Sequence, residues 1–250
     1  MKGVVNKKDG DKMKYMGSKN RIAKEILPII LKERKDGQFY IEPFCGGCNM
    51  IDKVEGKRIA SDQNHYLIEL LKKLQEGWIP PKGISEEQFE DMKKNPKHYT
   101  DHLIGYVGFQ LSFGAMWFSS YRKDKIGKRN YSVEAFNNVM KQAPKLLGIK
   151  FICSPYEDLE YPENSIIYCD PPYEDTIKYN AVGSFDHHKF WCWCREMSKK
   201  GHTVFISEYN APEDFECIWE KKLQNGLGKS KNTEKLFKYS QNKANTEKKK

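Results

Sequence analysis

Two kinds of hydrophobic pattern alternate along the chain. Short apolar runs rich in β-branched and aromatic residues are typical of buried strands, whereas apolar residues at every third or fourth position are typical of amphipathic helices. The strand pattern covers residues 38–42, 57–61, 149–153, 165–169, 201–207 and 235–239, and the helix pattern covers 22–30, 64–76 and 187–197, with a further helix expected to start near Met50. Strands that alternate with helices predict an α/β fold built on one doubly wound sheet.

The alternation is interrupted in the middle of the chain. One helix pattern ends at Gly77-Trp78-Ile79-Pro80-Pro81, and the next strand pattern begins only at residue 149. Between them lie helical segments around Phe89 and Val107 and a stretch rich in aromatic and basic residues. We therefore expect a main α/β domain formed by residues 1–79 and 149–240, a largely helical insertion at 80–148, and a basic, disordered tail at 241–250.

Composition adds a charge imbalance to this picture. The 250 residues include 43 lysines and arginines against 34 aspartates and glutamates, a formal net charge of +9, which favours a polyanionic partner. The 7 cysteines form an odd, irregularly spaced set with no apolar leader before them, which predicts a reducing, intracellular environment. No run approaches the roughly 18 apolar residues of a membrane span. We expect a soluble protein, and nothing in the sequence requires more than a monomer.

The first candidate for chemistry follows the strand pattern at 165–169, where the sequence continues Asp170-Pro171-Pro172-Tyr173. Each proline pushes the residue before it toward extended geometry and lacks an N–H donor. The turn is therefore stiff and offers backbone carbonyls and one carboxylate as acceptors. At the carboxyl end of a strand, where open α/β sheets bind ligands, such a turn suits a substrate amine. The competing interpretation is an ordinary proline turn with a solvated aspartate.

Other segments suit a nucleoside. The strand at 38–42 leads into the glycine turn Glu42-Pro43-Phe44-Cys45-Gly46-Gly47, which lets a ligand approach the backbone closely. The strand at 57–61 ends at Asp62, where an acid commonly binds a ribose hydroxyl pair. Near the N-terminus, Lys19 at a helix start can receive an anionic group and Tyr15 can stack on a planar one. Taken singly, a solvated lysine and a core tyrosine are the simpler interpretation of those two residues.

Cys45 and Cys48 form a C-x-x-C pair, which can indicate a redox pair or half of a zinc site. No second C-x-x-C completes the zinc pattern. The cluster from His187 to Cys194 contains further metal-ligating residue types, but its spacing fits a helix with aromatic residues facing the core. We therefore predict buried free thiols and no metal site.

A segment near the end of the insertion mixes basic and aromatic residues. Such a segment suits nucleic acid, because cations neutralise phosphates while flat or amide groups contact bases. A solvated hairpin is the competing interpretation. The candidate nucleic-acid contacts are Trp117, Tyr121, Arg122, Lys123, Lys125, Lys128 and Arg129.

In their order along the chain, these segments resemble the motifs of the Dam-type (class alpha) DNA adenine-N6 methyltransferases, as often seen in phage and prophage members. The resemblance covers most of the chain. The departure from the family pattern is the cysteine at positions 45 and 48, which can make the turn sensitive to oxidation. The matching segments are Lys14-Tyr15-Met16-Gly17-Ser18-Lys19, Glu42-Pro43-Phe44-Cys45-Gly46-Gly47, Ser61-Asp62-Gln63-Asn64, Asp170-Pro171-Pro172-Tyr173, Phe205–Asn210 and Thr233–Phe237.

The resemblance implies the Rossmann-like fold of S-adenosylmethionine-dependent methyltransferases, a mostly parallel seven-stranded sheet whose last strand is antiparallel, with an inserted target-recognition region. It also implies S-adenosylmethionine as the cofactor, double-stranded DNA as the partner, and the cytoplasm of a bacterial or phage-infected cell as the location. The residues that the resemblance places at the cofactor are Tyr15, Lys19, Glu42, Pro43, Phe44, Gly46, Gly47, Asp62 and Asp170.

By the same resemblance, the segment Asp170-Pro171-Pro172-Tyr173 is catalytic. Its carboxylate and the Pro171 carbonyl would accept hydrogen bonds from the adenine amine, and Tyr173 would stack on the flipped-out base. Two alternatives stay open: methylation of another planar amine, such as cytosine N4 or an RNA base, and a DNA-binding protein on an inactive methyltransferase scaffold. The aspartate at position 170 favours adenine, since cytosine-N4 enzymes of similar motif commonly carry serine there.

Overall fold

The structure is a computed structural model that describes residues 12–124, 126–173, 185–224 and 231–240. Its strands are β1 (Tyr40–Glu42), β2 (Arg58–Asp62), β3 (Ile149–Cys153), β4 (Ile166–Cys169), β5 (Thr203–Glu208), β6 (Phe215–Gln224) and β7 (Lys231–Tyr239). In this part of the chain they form one seven-stranded sheet with the order β3-β2-β1-β4-β5-β7-β6. Strands β1 to β5 pair in parallel, and β7 runs antiparallel to both β5 and β6. The expected Rossmann-like methyltransferase sheet with one antiparallel strand is confirmed.

The helices begin at side chains that satisfy their first backbone N–H groups. Asn64 accepts a hydrogen bond from the Leu67 N–H, Asp186 accepts one from Lys189, and Ser85 forms a reciprocal capping box with Gln88. In the described residues no helix is both long and apolar enough to cross a membrane. The α-helices are α1 (Ala23–Ile30), α2 (His65–Gln75), α3 (Glu86–Lys94), α4 (Asp101–Gln110), α5 (Tyr131–Gln142) and α6 (His187–Lys199).

The sheet separates two hydrophobic layers, and successive strand residues alternate between them. In β1, Tyr40 belongs to the layer that contains α1, α2 and α4, whereas Ile41 belongs to the layer under α6. In β4, Ile166 and Ile167 divide in the same way. All four residues of β4 are buried, as expected for a central parallel strand that is covered on both faces.

The insertion shares the first of these layers. Phe89 of α3, Ile104 of α4 and Val139 of α5 are fully buried in the same cluster as Leu67 of α2. Helix α4 approaches α2 so closely that a Cβ atom on Gly105 would lie 2.2 Å from the Tyr66 carbonyl oxygen. The division of the chain into a main domain and an insertion therefore corresponds to segments that pack on one common core.

Two elements differ from the sequence expectation. The helix expected near Met50 is a single 3-10 turn at Ile51–Lys53, because Cys48 adopts a left-handed conformation (φ 55°) just before it and Val54 returns to extended geometry just after it. Strand β6 was not anticipated. A register shift between Cys217 and Trp219 breaks its alternation, and its charged residues are typical of an edge strand. The predicted disordered tail at 241–250 lies outside the described residues.

Candidate active site

The parallel strands bring three acidic residues to one edge of the sheet. Glu42 ends β1, Asp62 ends β2 and Asp170 directly follows β4, and these strands are neighbours. The strand order reverses between β1 and β4, which is where open α/β sheets form a crevice for ligands. The sequence patterns had placed each acid at a strand end separately, and the strand order places them side by side.

The N-terminal loop inserts a lysine into this edge. Ser18 accepts a hydrogen bond from the Asn20 N–H at the start of a short 3-10 helix, Lys19–Arg21. The Lys19 side chain is 7 % exposed, and its Nζ lies 3.1 Å from Asp170 Oδ1 and 3.5 Å from Glu234 Oε2. A buried ammonium with two carboxylate partners is a functional arrangement far more often than a solvated surface lysine is.

Burial and the charges of the neighbouring groups shift the pKa values of Lys19 and Asp170 in opposite directions. Burial alone would lower the pKa of Lys19, but the charges of Asp170 and Glu234 outweigh it, so the pKa of Lys19 is raised above its usual value. Burial raises the pKa of Asp170 to about 6, while the Lys19 charge opposes that rise. Near neutral pH the lysine is therefore charged and Asp170 is mostly a carboxylate, able to accept hydrogen bonds.

Tyr173 is fixed from several sides and is 9 % exposed. Its hydroxyl donates a hydrogen bond to Glu234 Oε2 at 2.9 Å, and its ring meets the Tyr209 ring edge-on with 4.6 Å between centroids. Lys19 Nζ lies 4.5 Å from the centre of the Tyr173 ring. Burial raises the pKa of Tyr173 well above its usual value, so the phenol stays protonated. Pro171 is buried and Pro172 is exposed.

Glu234 is a site residue that the sequence reasoning missed. The segment Thr233–Phe237 was noted as a later strand motif, but no role was given to its glutamate. Strand β7 brings Glu234 to Tyr173 and Lys19 from a distant part of the chain, and its side chain is 13 % exposed. The available signal was an acid next to the apolar Leu236 and Phe237 in a strand, and its partners depend on strand order.

The glycine turn after β1 is tied to the end of β2. The Gly46 N–H donates to Asp62 Oδ2 at 3.2 Å, and the Asn64 N–H donates to Asp62 Oδ1 at 2.9 Å. The Cys45 N–H donates to the Ser61 carbonyl at 2.8 Å. Burial raises the pKa of Asp62 to about 6, although both N–H groups favour its carboxylate form. The turn and the acid thus form one preformed unit at the crevice.

Tyr15 explains why two glycines are needed. A Cβ atom on Gly46 would lie 2.7 Å from Tyr15 Cδ1, and one on Gly47 would lie 2.8 Å from Tyr15 Cβ. Gly46 also has a positive φ of 46°. The Tyr15 ring packs against Phe109 of α4, with 5.4 Å between centroids. Tyr15 is therefore seated on the glycine turn between the main domain and the insertion.

Two buried glutamines, each 1 % exposed, hold the N-terminal loop and were not predicted. Gln110 exchanges two hydrogen bonds with the backbone of Lys14, at 2.8 and 2.9 Å. Gln142 accepts from the Met13 N–H at 2.8 Å and donates to the Gly47 carbonyl at 2.9 Å. The insertion helices α4 and α5 thereby position the loop that carries Tyr15 and Lys19.

The remaining residues of the turn lie deeper. Glu42 is 3 % exposed and accepts a hydrogen bond from the Tyr40 hydroxyl at 2.8 Å. Burial raises its pKa well above the usual value. Pro43 is buried, and the half-buried Phe44 ring packs against Tyr156 and Phe190. These three residues shape the strand end and its turn, and their cofactor contacts stay predictions.

Cys45 and Cys48 are buried free thiols beneath the same turn. Burial raises the pKa of both, most strongly for Cys45, which lowers the thiolate fraction on which oxidation depends. Among the described residues no group of three or more histidine, cysteine or acidic side chains is arranged to hold a metal ion.

The predicted nucleic-acid contacts divide into two sets. The first set packs inward. Trp117 stacks on Tyr66 with 5.2 Å between centroids, and the Tyr121 hydroxyl donates to the Ile84 carbonyl at 2.6 Å. Arg122 is half-buried, with its guanidinium 3.8 Å from the centre of the Tyr131 ring.

The second set is exposed. Lys123 forms a salt bridge with Glu86 at 2.9 Å, and Arg129 forms one with Glu134 at 2.7 Å. Lys128 is exposed without a salt bridge to any described residue. Lys125 lies outside the described residues. The structure brings these cations to one surface segment, and their contact with nucleic acid stays a prediction.

Comparisons with known proteins agree on one activity. Residues 15–107 match the model of the D12 class N6 adenine-specific DNA methyltransferases. The chain is 28 % identical to the type II methyltransferase M.MjaIII of Methanocaldococcus jannaschii, with 83 % of this chain and 87 % of that protein covered. It is 24 % identical to the type II methyltransferase M.FokI of Planomicrobium okeanokoites, with 67 % of this chain and 30 % of that protein covered.

The chain also resembles the crystal structure of "SMU.472, a putative methyltransferase complexed with SAH"; the match covers 90 % of this chain and 53 % of that one, with a TM-score of 0.36 and 12 % identity. The family match includes the N-terminal loop, the glycine turn and Asp62, which are the segments that resembled cofactor motifs in the sequence. The chain is thus similar over residues 15–107 to the D12 class N6 adenine-specific DNA methyltransferases, and it uses S-adenosylmethionine to methylate adenine N6 in DNA.

Proposed function

We propose that Asp170, the Pro171 carbonyl and Tyr173 hold the target adenine of a site-specific DNA methyltransferase. The observation that supports this most strongly is the buried network of Lys19, Asp170, Tyr173 and Glu234 at the end of β4. A solvated proline turn, the competing interpretation of the sequence, would not place the aspartate against a buried lysine.

Adenine N6 is a weak nucleophile, because its lone pair is delocalised into the ring. Hydrogen bonds from the amine to the Asp170 carboxylate and the Pro171 carbonyl would localise that lone pair and orient it. S-adenosylmethionine supplies a methyl group that its positive sulfur already activates. Proximity and orientation then provide most of the rate enhancement. No strong general base is required, since the amine becomes acidic as the new N–C bond forms and its proton can leave to solvent.

The cofactor pocket that we propose lies beside these residues. The Asp62 carboxylate would accept hydrogen bonds from the ribose hydroxyls, while Gly46 and Gly47 let the amino-acid portion approach the backbone. The supporting observation is that Asp62 already accepts two backbone N–H groups, which orient its carboxylate at the crevice. Tyr15 and Lys19 belong to the loop that completes this pocket.

We also propose that the target base is flipped out of double-stranded DNA, because the amine cannot be reached within the base stack. The exposed cations Lys123, Lys128 and Arg129 would contact phosphates. Two relatives carry the name type II methyltransferase. We accordingly propose that this enzyme acts at a defined DNA sequence, with a restriction endonuclease as a candidate partner.

The test compares wild-type protein with Asp170→Asn, which keeps the side-chain volume and removes the charge. Labelled S-adenosylmethionine and unmethylated DNA, followed by digestion to nucleosides, should give labelled N6-methyl-2′-deoxyadenosine with the wild type. In the variant we expect turnover to fall at least about 100-fold, since a charged group that stabilises the transition state is lost. Cofactor affinity should stay within a few-fold. Asp158→Asn, at an exposed aspartate, is the matched control.

Two outcomes would contradict the proposal. Near-normal turnover of Asp170→Asn would remove Asp170 from the chemistry. Label on cytosine or on RNA in place of DNA adenine would assign the amine-binding turn to a different substrate.

A further inference from the structure

Glu234 has the contacts of an active-site residue although it lies on β7, outside the Asp170–Tyr173 turn. A single oxygen, Oε2, accepts the Tyr173 hydroxyl at 2.9 Å and lies 3.5 Å from Lys19 Nζ. Its side chain is 13 % exposed, so both interactions operate largely away from water. A charge-assisted hydrogen bond in such surroundings is stronger and more directional than one at the surface.

We propose that Glu234 is a positioning residue for methyl transfer, which fixes the plane of the Tyr173 ring and shares the Lys19 ammonium with Asp170. This inference rests on the proposed roles of Asp170 and Tyr173. Glu234 touches neither reacting atom in this scheme, and it acts through its two partners.

The first part of the role concerns the ring. A tyrosine ring that stacks on a flipped base must keep one orientation, because a tilted ring would displace the amine from the methyl donor. Rotation of the Tyr173 ring plane is restrained at the hydroxyl by Glu234 and at the edge by Tyr209, whose ring centroid is 4.6 Å away. Loss of the Glu234 acceptor would weaken the restraint at the hydroxyl, while the contacts of the ring with Tyr209 and Lys19 remain.

The second part of the role concerns charge. Lys19 Nζ lies between two carboxylates, Asp170 at 3.1 Å and Glu234 at 3.5 Å. If Glu234 were neutral, Asp170 would be the carboxylate left to pair with the ammonium, and the lysine would compete more strongly with the substrate amine for the Asp170 oxygens. Glu234 therefore keeps Lys19 in the site as a counter-charge while leaving Asp170 able to bind the amine.

The same charge has a measurable effect on pH dependence. Burial raises the pKa of Asp170, Lys19 lowers it, and the negative Glu234 raises it further. Removing the Glu234 charge should therefore move the pKa of Asp170 down, and with it the acid limb of the kcat profile. The ionisable groups that face Asp170 are Lys19 from the N-terminal loop, Glu42 from β1, Tyr168 and Cys169 from β4, Tyr173 from the turn and Glu234 from β7.

The experiment uses the full chain with Glu234→Gln, which keeps the size and one acceptor oxygen. We expect kcat to fall about tenfold, the equivalent of one charge-assisted hydrogen bond. The KM for S-adenosylmethionine should stay within about twofold, and the acid limb should move to lower pH. A purely structural role would change the folded fraction without moving that limb. Glu220→Gln, at an exposed glutamate on the adjacent β6, is the matched control.

A second variant separates the effect of the negative charge from the effect of side-chain length. Glu234→Asp keeps the negative charge but shortens the side chain, so its acid limb should stay near the wild-type value while kcat falls. Tyr173→Phe combined with Glu234→Gln should lose less activity than the two single effects multiplied, since Tyr173→Phe removes the same charge-assisted hydrogen bond that Glu234→Gln weakens. Glu234→Asp stays informative if Glu234→Gln folds poorly.

The inference is overturned if Glu234→Gln keeps the wild-type kcat and acid limb, or if its lost activity is matched by its lost folded fraction while the limb stays in place. Full additivity of Tyr173→Phe and Glu234→Gln would also overturn it. These results differ from failure of the proposed function, in which Asp170→Asn would remain active.

Discussion

The two charged regions of this enzyme differ in how far their ion pairs are exposed to water. At the sheet edge, Lys19 and Asp170 are largely buried and interact at 3.1 Å. In the basic segment of the insertion, Lys123 is 61 % exposed and its partner Glu86 is 49 % exposed, at a similar distance of 2.9 Å. Equal distances therefore do not imply equal energies, because water and salt screen the exposed pair.

This difference fits the roles that we propose for the two regions. Methyl transfer needs a few groups held in one geometry, and burial both strengthens their interactions and fixes their positions. Binding to a DNA backbone needs charges that can exchange partners, and an exposed salt bridge worth at most about 1 kcal/mol can give way to a phosphate. Glu86 and Glu134 pair with Lys123 and Arg129 in exposed salt bridges, which a phosphate could replace.

The largest effect should come from breaking the packing between the main domain, which carries the sheet edge, and the insertion, which carries the basic segment. Gly105→Ala would place a Cβ atom 2.2 Å from the Tyr66 carbonyl oxygen, so helices α4 and α2 would have to separate. We expect a loss of about 2–3 kcal/mol in the free energy of unfolding, typical of forced overpacking. Urea unfolding monitored by circular dichroism measures it. Gly83→Ala, with no atom within 4 Å of the added Cβ, is the control.

The shape of that unfolding curve tests the shared core as well. A single transition shifted to lower urea would show that the insertion and the main domain unfold together. Two transitions, with only the first shifted, would mean that the insertion folds separately, and the contrast between the regions would become one between two domains.

Sequence patterns were sufficient for most of the sheet and for the strand-end residues. Strands β1, β4 and β5 are buried along almost their whole length and β2 and β3 hold apolar cores of two to three residues, so the hydrophobic pattern was sufficient to predict their positions and the acids at their ends. Strand β6 could not, because its register shift and surface charges hide the alternation. The hydrophobic pattern also predicted a helix near Met50, where the structure has only a 3-10 turn. The pattern does not show that Cys48 adopts a left-handed backbone conformation.

The site was predictable where chemistry follows sequence order and not where it depends on tertiary contacts. Asp62 ends β2 and Asp170 directly follows β4, so the sequence was sufficient to predict both as candidate site residues at the sheet edge. Glu234, Gln110 and Gln142 act on residues far away in the chain, so their roles depend on strand order and helix packing. A buried polar side chain is informative only once its partner is known.

A smaller effect is expected at Asp62, where the pH dependence of cofactor affinity tests the electrostatics of the buried sheet edge. Burial raises the pKa of this acid to about 6 from its usual 3.8. If its carboxylate binds the ribose hydroxyls, cofactor affinity should be constant above pH 7 and should fall about tenfold between pH 7 and pH 5, as the carboxylate takes up a proton. Calorimetric titration with S-adenosylmethionine across that range measures it.

Two variants show whether Asp62 causes the pH dependence of cofactor binding. They are needed because burial also raises the pKa of Asp170 to about 6. Asp62→Asn should bind about tenfold more weakly at pH 7 and show little change toward pH 5, whereas Asp170→Asn should keep the wild-type dependence. A pH-independent wild-type affinity, or a dependence that disappears only in Asp170→Asn, would contradict the role of Asp62. The ionisable side chains that face Asp62 are Cys45, Cys48 and Cys153.

The smallest effect concerns single exposed cations. Lys128 makes no salt bridge with a described residue, so Lys128→Gln should reduce the slope of log affinity against log salt by about 0.9, the value for one lost phosphate contact. Lys123→Gln should reduce it less, because Glu86 already neutralises part of that charge. Glu86→Gln should have the opposite effect and tighten binding. Fluorescence anisotropy of labelled duplex DNA over a salt series measures all three. Equal slopes for Lys123→Gln and Lys128→Gln would mean that DNA displaces Glu86 at no cost, and an unchanged slope for both would assign DNA binding to another surface.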